Sequence, residues 1–247
     1  MRFLERVSPA YQEVILPLCK WKILSTDELR KLSEYKNGRH AFYKIVRKLE
    51  NYCLVDSYID VWTNEKFIYL TDDGINALGD ECDFSTVNRV TRFHDALAIK
   101  ISRQISQHPY CYKVVPDYQI IKEVKKNLKH LPDAIITFNN HRFFSISLEI
   151  ELTQKSRKRV EEIFEYHLTN RVADKILYLF NKESVFEAYK EVQSIMRSDG
   201  YQGMENLILV YCPELTKRGF NILEQEIEVG YRREKFKEYL NYEMSLA

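Results

Sequence analysis

Glu149 and Glu151 have the spacing in this chain that most directly implies chemistry. They lie in the run Arg142 to Leu152, where Phe144, Ile146, Leu148, Ile150 and Leu152 alternate with Phe143, Ser145, Ser147, Glu149 and Glu151. That alternation is a β-strand with one apolar face and one face ending in two carboxylates. Side chains two apart on one strand face stand about 7 Å apart or less. Like charges that close repel, and burial raises their pKa unless something positive lies between them. A divalent cation is the economical partner. The preceding strand, Asp133 to Phe138, opens with Pro132-Asp133 and pairs as a hairpin across Asn139-Asn140-His141. Antiparallel pairing returns Asp133 toward the Glu149–Glu151 end. Three hard oxygen ligands so placed suit Mg²⁺ or Mn²⁺.

Cations follow at once. Lys155, Arg157, Lys158 and Arg159 put four positive charges in five residues at an expected helix start. Cations there oppose the helix macrodipole, so the cluster makes sense if it faces phosphate. The competing reading is a solvated face paired with Glu161, Glu162 and Glu165. Lys155, nearest the carboxylates, is the strongest functional candidate of the four. Upstream, Lys122, Lys125, Lys126 and Lys129 with Glu123 leave +3 before Pro132, a phosphate rail or a solvated loop.

The elements that must hold these groups are α/β (α+β). A helix from Arg92 to Gln107 buries Phe93, Leu97, Ile101 and Ile105. Strands are expected at Tyr112–Ile121, Asp133–Phe138 and Arg142–Leu152. A charged helix from Gln154 to Val172, a strand Lys175–Phe180, a helix Glu183–Met196, a strand Asn206–Cys212 and helical material to the end complete the order. That order implies a mixed sheet with helices on both faces. The domain so described spans 92–247, after a polar linker at 81–91.

Residues 1–80 read differently. Ser8-Pro9 starts a helix carrying Tyr11, Val14, Ile15 and Leu18. Ser25 or Thr26 caps a second, with Asp27 and Glu28 in its first turn. After Lys36-Asn37-Gly38, a third helix from Arg39 to Glu50 buries Phe42, Ile45, Val46 and Leu49. Leu54–Trp62 and Lys66–Thr71 form a hairpin, and Thr71-Asp72-Asp73-Gly74 opens a short helix. This is the order of a winged helix-turn-helix DNA-binding domain. From Lys20 to Glu50, nine Lys and Arg against four Asp and Glu leave +5, in a chain whose total is +1. The exposed stripe of the third helix, with Arg39 at its start, is His40, Tyr43, Lys44 and Arg47, donors beside an aromatic that suit a DNA groove. A small helical module of this kind can also dock proteins.

Composition narrows the rest. Gly 7 and Pro 6 are too few for collagen-like or disordered chains, and the +1 balance excludes a histone-like blanket of charge. Five dispersed cysteines, with no pair at metal-ligand spacing, suggest reduced thiols in a cytoplasm rather than a disulfide framework. No apolar run approaches a membrane span, and the start Met-Arg-Phe-Leu-Glu-Arg has an acid where a signal peptide needs apolar residues. A cytoplasmic protein without membrane insertion is expected. Phosphate-binding loop and nucleophile-elbow signatures are missing. The six histidines form no His-x-His pair, as a histidine-cluster relaxase would require.

Pro-Asp followed by Glu-x-Glu, on adjacent strands after a helix and before a basic helix, resembles the restriction-endonuclease-like PD-(D/E)xK core. One position departs: Glu151 stands where that motif has Lys, and Lys155 or Lys158 would have to supply the charge. With the winged helix, His94-Asp95-Ala96-Leu97-Ala98, Leu131-Pro132-Asp133-Ala134 and Leu148-Glu149-Ile150-Glu151, the chain is similar to the replication-relaxation family, which includes the MobC-type relaxases of mobilisable plasmids. The likeness runs from about residue 10 to 212. It implies a Mg²⁺- or Mn²⁺-dependent endonuclease that nicks one strand of double-stranded DNA at a transfer or replication origin, working with other mobilisation or replication proteins. Carried over by position, His94, Asp133, Glu149 and Glu151 are the catalytic and metal set, with Lys155 beside them and Arg157 and Lys158 on DNA. The alternative is a non-catalytic replication accessory or transcriptional regulator on a degenerate nuclease fold.

Overall fold

The protein is a mixed α/β chain, described here by a computed structural model over residues 9–33, 35–79, 82, 86–124, 129–229 and 232–245. It divides into two compact units, Met1–Ile99 and Lys100–Ala247. The division falls inside a helix, later than the 81–91 segment expected as a linker. Described parts of that segment belong to the first unit: Cys82 and Val87 are buried, and Thr86 Oγ1 donates to the Leu70 carbonyl at 3.0 Å.

In the first unit, α1 (Pro9–Trp21) leads through a short β1 (Ile23–Ser25) into α2 (Thr26–Leu32) and α3 (Arg39–Asn51). The expected cap on Ser8 lies outside the described residues. Ser25 caps α2 reciprocally with Glu28, satisfying two backbone donors that would otherwise lack partners. β2 (Val55–Ile59) and β3 (Lys66–Leu70) form the hairpin, and β1 pairs antiparallel with β3 to give a three-stranded sheet ordered β1-β3-β2. Val14, Ile15, Leu18, Phe42, Ile45, Val46 and Leu49 are buried, as their 3–4 spacing requires. Thr71 caps α4 (Asp72–Leu78). Gly74 is obligatory there, because a Cβ would stand 2.0 Å from the Leu54 carbonyl oxygen.

Cys19 on α1 is disulfide-bonded to Cys82. This overturns the expectation of five reduced thiols: the segment after α4 brings Cys82 to α1, and 63 residues of separation leave no spacing motif to reveal it. Cys53, Cys111 and Cys212 are free, the last buried.

α5 (Arg92–Ile105) runs across the division. In the second unit, β4 (Cys111–Pro116) stops at Pro116, and Asp117 opens α6 (Asp117–Val124), so the strand expected to Ile121 is half helix. Proline removes a ladder donor and pre-sets a helix start, which the β-rich composition of the run concealed. β5 (Ala134–Asn140), β6 (Arg142–Glu151), β7 (Lys175–Phe180) and β8 (Leu207–Tyr211) complete a five-stranded sheet ordered β4-β5-β6-β7-β8. The first three strands form an antiparallel meander, turning at His141 in the left-handed conformation (φ 71°). α7 (Arg157–Asn170) carries the chain from β6 to a parallel β7, and α8 (Glu183–Ser198) from β7 to a parallel β8. Val160 and Phe164 of α7 and Val185, Tyr189, Val192 and Met196 of α8 pack with Tyr178 and Phe180 of β7. The terminal region is not all helical: β9 (Glu226–Val229) and β10 (Arg232–Lys235) form a hairpin before α9 (Phe236–Ser245). No helix among the described residues is long and apolar enough to cross a membrane.

Candidate functional site

Tyr178 marks the centre of the acidic site. In the parallel β6–β7 ladder Glu149 pairs with Tyr178 and Glu151 with Phe180, so both acids share the sheet face that α7 and α8 cover. The Tyr178 hydroxyl is buried with no hydrogen-bond partner. Its pKa is pushed well above the ordinary value, first by burial and then by Glu149, Glu151, Tyr189 and Asp133. The three sequence-predicted carboxylates therefore act on one buried point.

Each acid is held differently. Asp133 precedes β5, and its Oδ2 accepts the Ile150 N–H at 2.7 Å while its own N–H donates to the Leu148 carbonyl at 2.9 Å. Its side chain is thus fixed on the β6 backbone between the two glutamates. Glu149 Oε1 lies 3.1 Å from His167 Nε2, though not in the alignment of a hydrogen bond. Burial pushes the His167 pKa down to about 4, so the ring is neutral at pH 7 and does not neutralise Glu149. Glu151, only 4% exposed, forms an ion pair with Lys155. Its charge also helps burial raise the pKa of Tyr189.

Lys155 is not in a helix as expected. Ser156 is the N-cap of α7, so Lys155 stands in the loop just before it, free to turn back to Glu151. The basic run separates by position. Arg157 pairs with Glu161 at 2.7 Å and Arg159 with Glu162 at 3.4 Å, the i,i+4 and i,i+3 pairs of a solvated helix face. Lys158 is exposed. Of the upstream lysines, Lys125 and Lys126 lie outside the described residues, and the Lys129 N–H donates to Tyr166 Oη at 3.1 Å.

Two histidines that appear dispersed in sequence gather at this site. His130 lies 3.4 Å from Arg159 and edge-on to Tyr166. Its pKa is lowered, first by burial and then by Arg159 and by His167. A histidine one turn before the end of an amphipathic helix, beside a buried tyrosine on the next strand, is the signal that distinguishes His167. His94, expected as a fourth ligand, lies on α5 in the first unit, whereas the carboxylates belong to the second.

In the first unit, Arg39, His40, Tyr43, Lys44 and Arg47 are all exposed on α3, opposite its buried stripe. Arg39 donates to Tyr43 Oη at 3.1 and 3.3 Å and stacks over that ring, which fixes the tyrosine at the head of the basic row.

Comparison with protein-family models, curated proteins and solved structures gives no match.

The donor chemistry can be tested against a divalent cation. Among the described residues no group of three His, Cys, Asp or Glu is disposed to hold a metal. Asp133 and Glu149 remain as adjacent hard-oxygen donors, a pair that suits Mg²⁺, which commonly takes one or two carboxylates and completes its shell with water and substrate phosphate.

Proposed function

We propose that the protein is a DNA-binding endonuclease of the relaxase type, with a winged helix-turn-helix unit that reads duplex DNA and a PD-(D/E)xK-like unit that nicks one strand. The observation that carries this reading is the ion pair between Lys155 and Glu151. It brings an ammonium group to the motif position where the chain has glutamate instead of lysine. The surrounding architecture supports it: helix, three antiparallel strands with α6 inserted between the first two, helix and parallel strand, with Asp133 just before the second strand and Glu149 near the end of the third. The α1-β1-α2-α3-β2-β3 order with its antiparallel sheet supports the winged helix.

Asp133 and Glu149 would hold Mg²⁺ or Mn²⁺. When bound, the ion supplies charge neutralisation at the scissile phosphate and acidifies an attacking water. Lys155, anchored by Glu151, offers an ammonium proton to a phosphate oxygen where negative charge develops. Glu151 is a positioning residue, because its carboxylate is committed to Lys155. Tyr178 and Tyr189 stay protonated beside the acids.

Glu151, standing where the motif has lysine, favours the second reading, a DNA-binding replication accessory or regulator with a degenerate nuclease fold. Relaxation of supercoiled DNA carrying the origin of the protein's own mobile element decides between them. Nicking with Mg²⁺ or Mn²⁺ that disappears in Asp133→Asn supports the nuclease. Site-specific binding without any metal-dependent nicking leaves the regulator.

A further inference from the structure

A cavity of about 610 Å³ opens at the end of the second unit's sheet where β6 and β7 begin, lined among others by Arg142, Phe143, His167, Arg171, Lys175 and Gly203. Its wall at Ser145 lies about 20 Å along β6 from Glu151, toward the opposite strand end from the nicking site. Its size is that of a small-molecule site. Its charges are poised for an anion. Among the described residues neither the Arg142 nor the Arg171 guanidinium enters an ion pair or hydrogen bond. Lys175 Nζ donates only to the neutral Asn206 Oδ1, at 2.9 Å. Three cations, Arg142, Arg171 and Lys175, line the wall against two acids, Glu243 and Asp174, and Asp174 Oδ2 accepts from the Ser145 N–H and Oγ at 2.7 and 2.8 Å.

Two further features point to a ligand larger than phosphate. Phe143 is 63% exposed although it lines the cavity, and its ring meets only the edge of Tyr112. An exposed aromatic ring and unpaired guanidinium groups lining one cavity are the groups that hold a base and its phosphate. His167 closes the inner wall: it is 2% exposed and its Nδ1 has no hydrogen-bond partner. A buried ring nitrogen without a partner costs free energy unless a ligand or water satisfies it. Arg171 is set at the rim by the left-handed C-cap of α7 (φ 45°). Gly203, also left-handed (φ 83°), keeps the opposite rim low, since a Cβ there would press on Leu168 Cδ2 at 3.2 Å.

We infer that this cavity is a nucleotide-binding site, with Arg142 and Arg171 on the phosphate, Phe143 on the base and His167 as an inner hydrogen-bonding group. The site meets the acidic site at His167, whose Nε2 lies 3.1 Å from Glu149 Oε1, but its test requires neither metal nor nicking. The nucleotide is either free or the phosphorylated end of a DNA strand, which share one chemistry.

Isothermal titration of the full chain with deoxyadenosine monophosphate tests this, with deoxyadenosine and inorganic phosphate as the separate halves. One-to-one binding of the monophosphate, tighter than either half, is expected. Arg142→Gln with Arg171→Asn removes both guanidinium groups, and Asn tolerates the left-handed backbone. That variant should bind at least about tenfold more weakly, the effect expected of removing a charge-assisted hydrogen bond. Lys190→Gln, outside the cavity, should bind as the wild type does. A 5′-phosphorylated single-stranded hexamer separates the sources: tighter binding than the monophosphate assigns a strand end, equal or weaker binding a free nucleotide. No binding of the monophosphate or the hexamer overturns the inference. So does unchanged affinity in the double variant with its fold intact by circular dichroism, or an absence of any shift in the His167 ring resonances at saturation.

Discussion

At the residue scale, the chemistry rests on how each charge is held. Asp133 is fixed by a backbone amide, Glu149 faces a neutral ring and Glu151 is bound to Lys155. Asp133→Asn or Glu149→Gln should reduce nicking of supercoiled DNA by at least about a hundredfold while gel-shift affinity is retained. Lys155→Ala should slow nicking more than it weakens binding, and Lys155→Arg should restore part of the rate. Equal losses in rate and binding would show that Lys155 only holds DNA. The acids were legible in sequence because strand alternation places them on one face. The pairing of Glu151 was not, because a loop residue's direction depends on Ser156 starting α7. A second residue-scale prediction concerns His108, which is buried, accepts the Tyr110 N–H on Nδ1 and faces Asn241 Oδ1 with Nε2. Burial lowers its pKa below 6.5, only partly offset by Asn241. A depressed histidine contributes stability that is present above its unfolded pKa and lost as pH falls through the folded value. Denaturant unfolding of the wild type should lose stability from pH 6.5 downward. His108→Gln should flatten that part of the profile, and an unchanged slope would show that other groups set it.

At the scale of elements, α3 is the clearest case of a sequence that dictates both faces. Phe42, Ile45, Val46 and Leu49 point inward, which leaves His40, Tyr43, Lys44 and Arg47 outward. Lys44→Ala with Arg47→Ala should weaken duplex binding and lower the dependence of log K on log salt by about 0.9 for each phosphate the variant no longer neutralises, with melting unchanged. Unchanged affinity and slope would move the DNA interface off α3. Elements failed to read where a proline or a tight hairpin intervened. Tyr112–Ile121 is rich in β-formers throughout, yet Pro116 divides it into β4 and α6. The terminal hairpin did not read because β9, Glu226–Val229, alternates charged with apolar residues over only four positions and β10, Arg232–Lys235, is charged throughout, which gives no apolar period.

At the scale of the whole molecule, the chain is two units that each bury a core, and the disulfide belongs to only one of them. Cys19 and Cys82 tie the first helix of the first unit to the segment after α4. Sequence spacing could not show this pair, because its ends are separated by 63 residues that include three helices and a hairpin. A cross-link over a loop of that length removes entropy from the unfolded chain worth about 4 kcal/mol in the chain-entropy account. The second unit contains Cys111 and Cys212 as free thiols and gains nothing from the bond. Reduction should therefore act on one unit alone. Calorimetry of the full chain with and without a phosphine reductant should show one unfolding transition moving to lower temperature by many degrees, while another stays in place. Cys19→Ser with Cys82→Ser should reproduce the reduced trace and become insensitive to reductant. Thiol labelling of the oxidised protein gives an independent check: Cys53 should react first because it is exposed, and Cys212, whose pKa burial pushes up to about 12, only on unfolding. Two transitions that shift together on reduction would mean that the units unfold as one body.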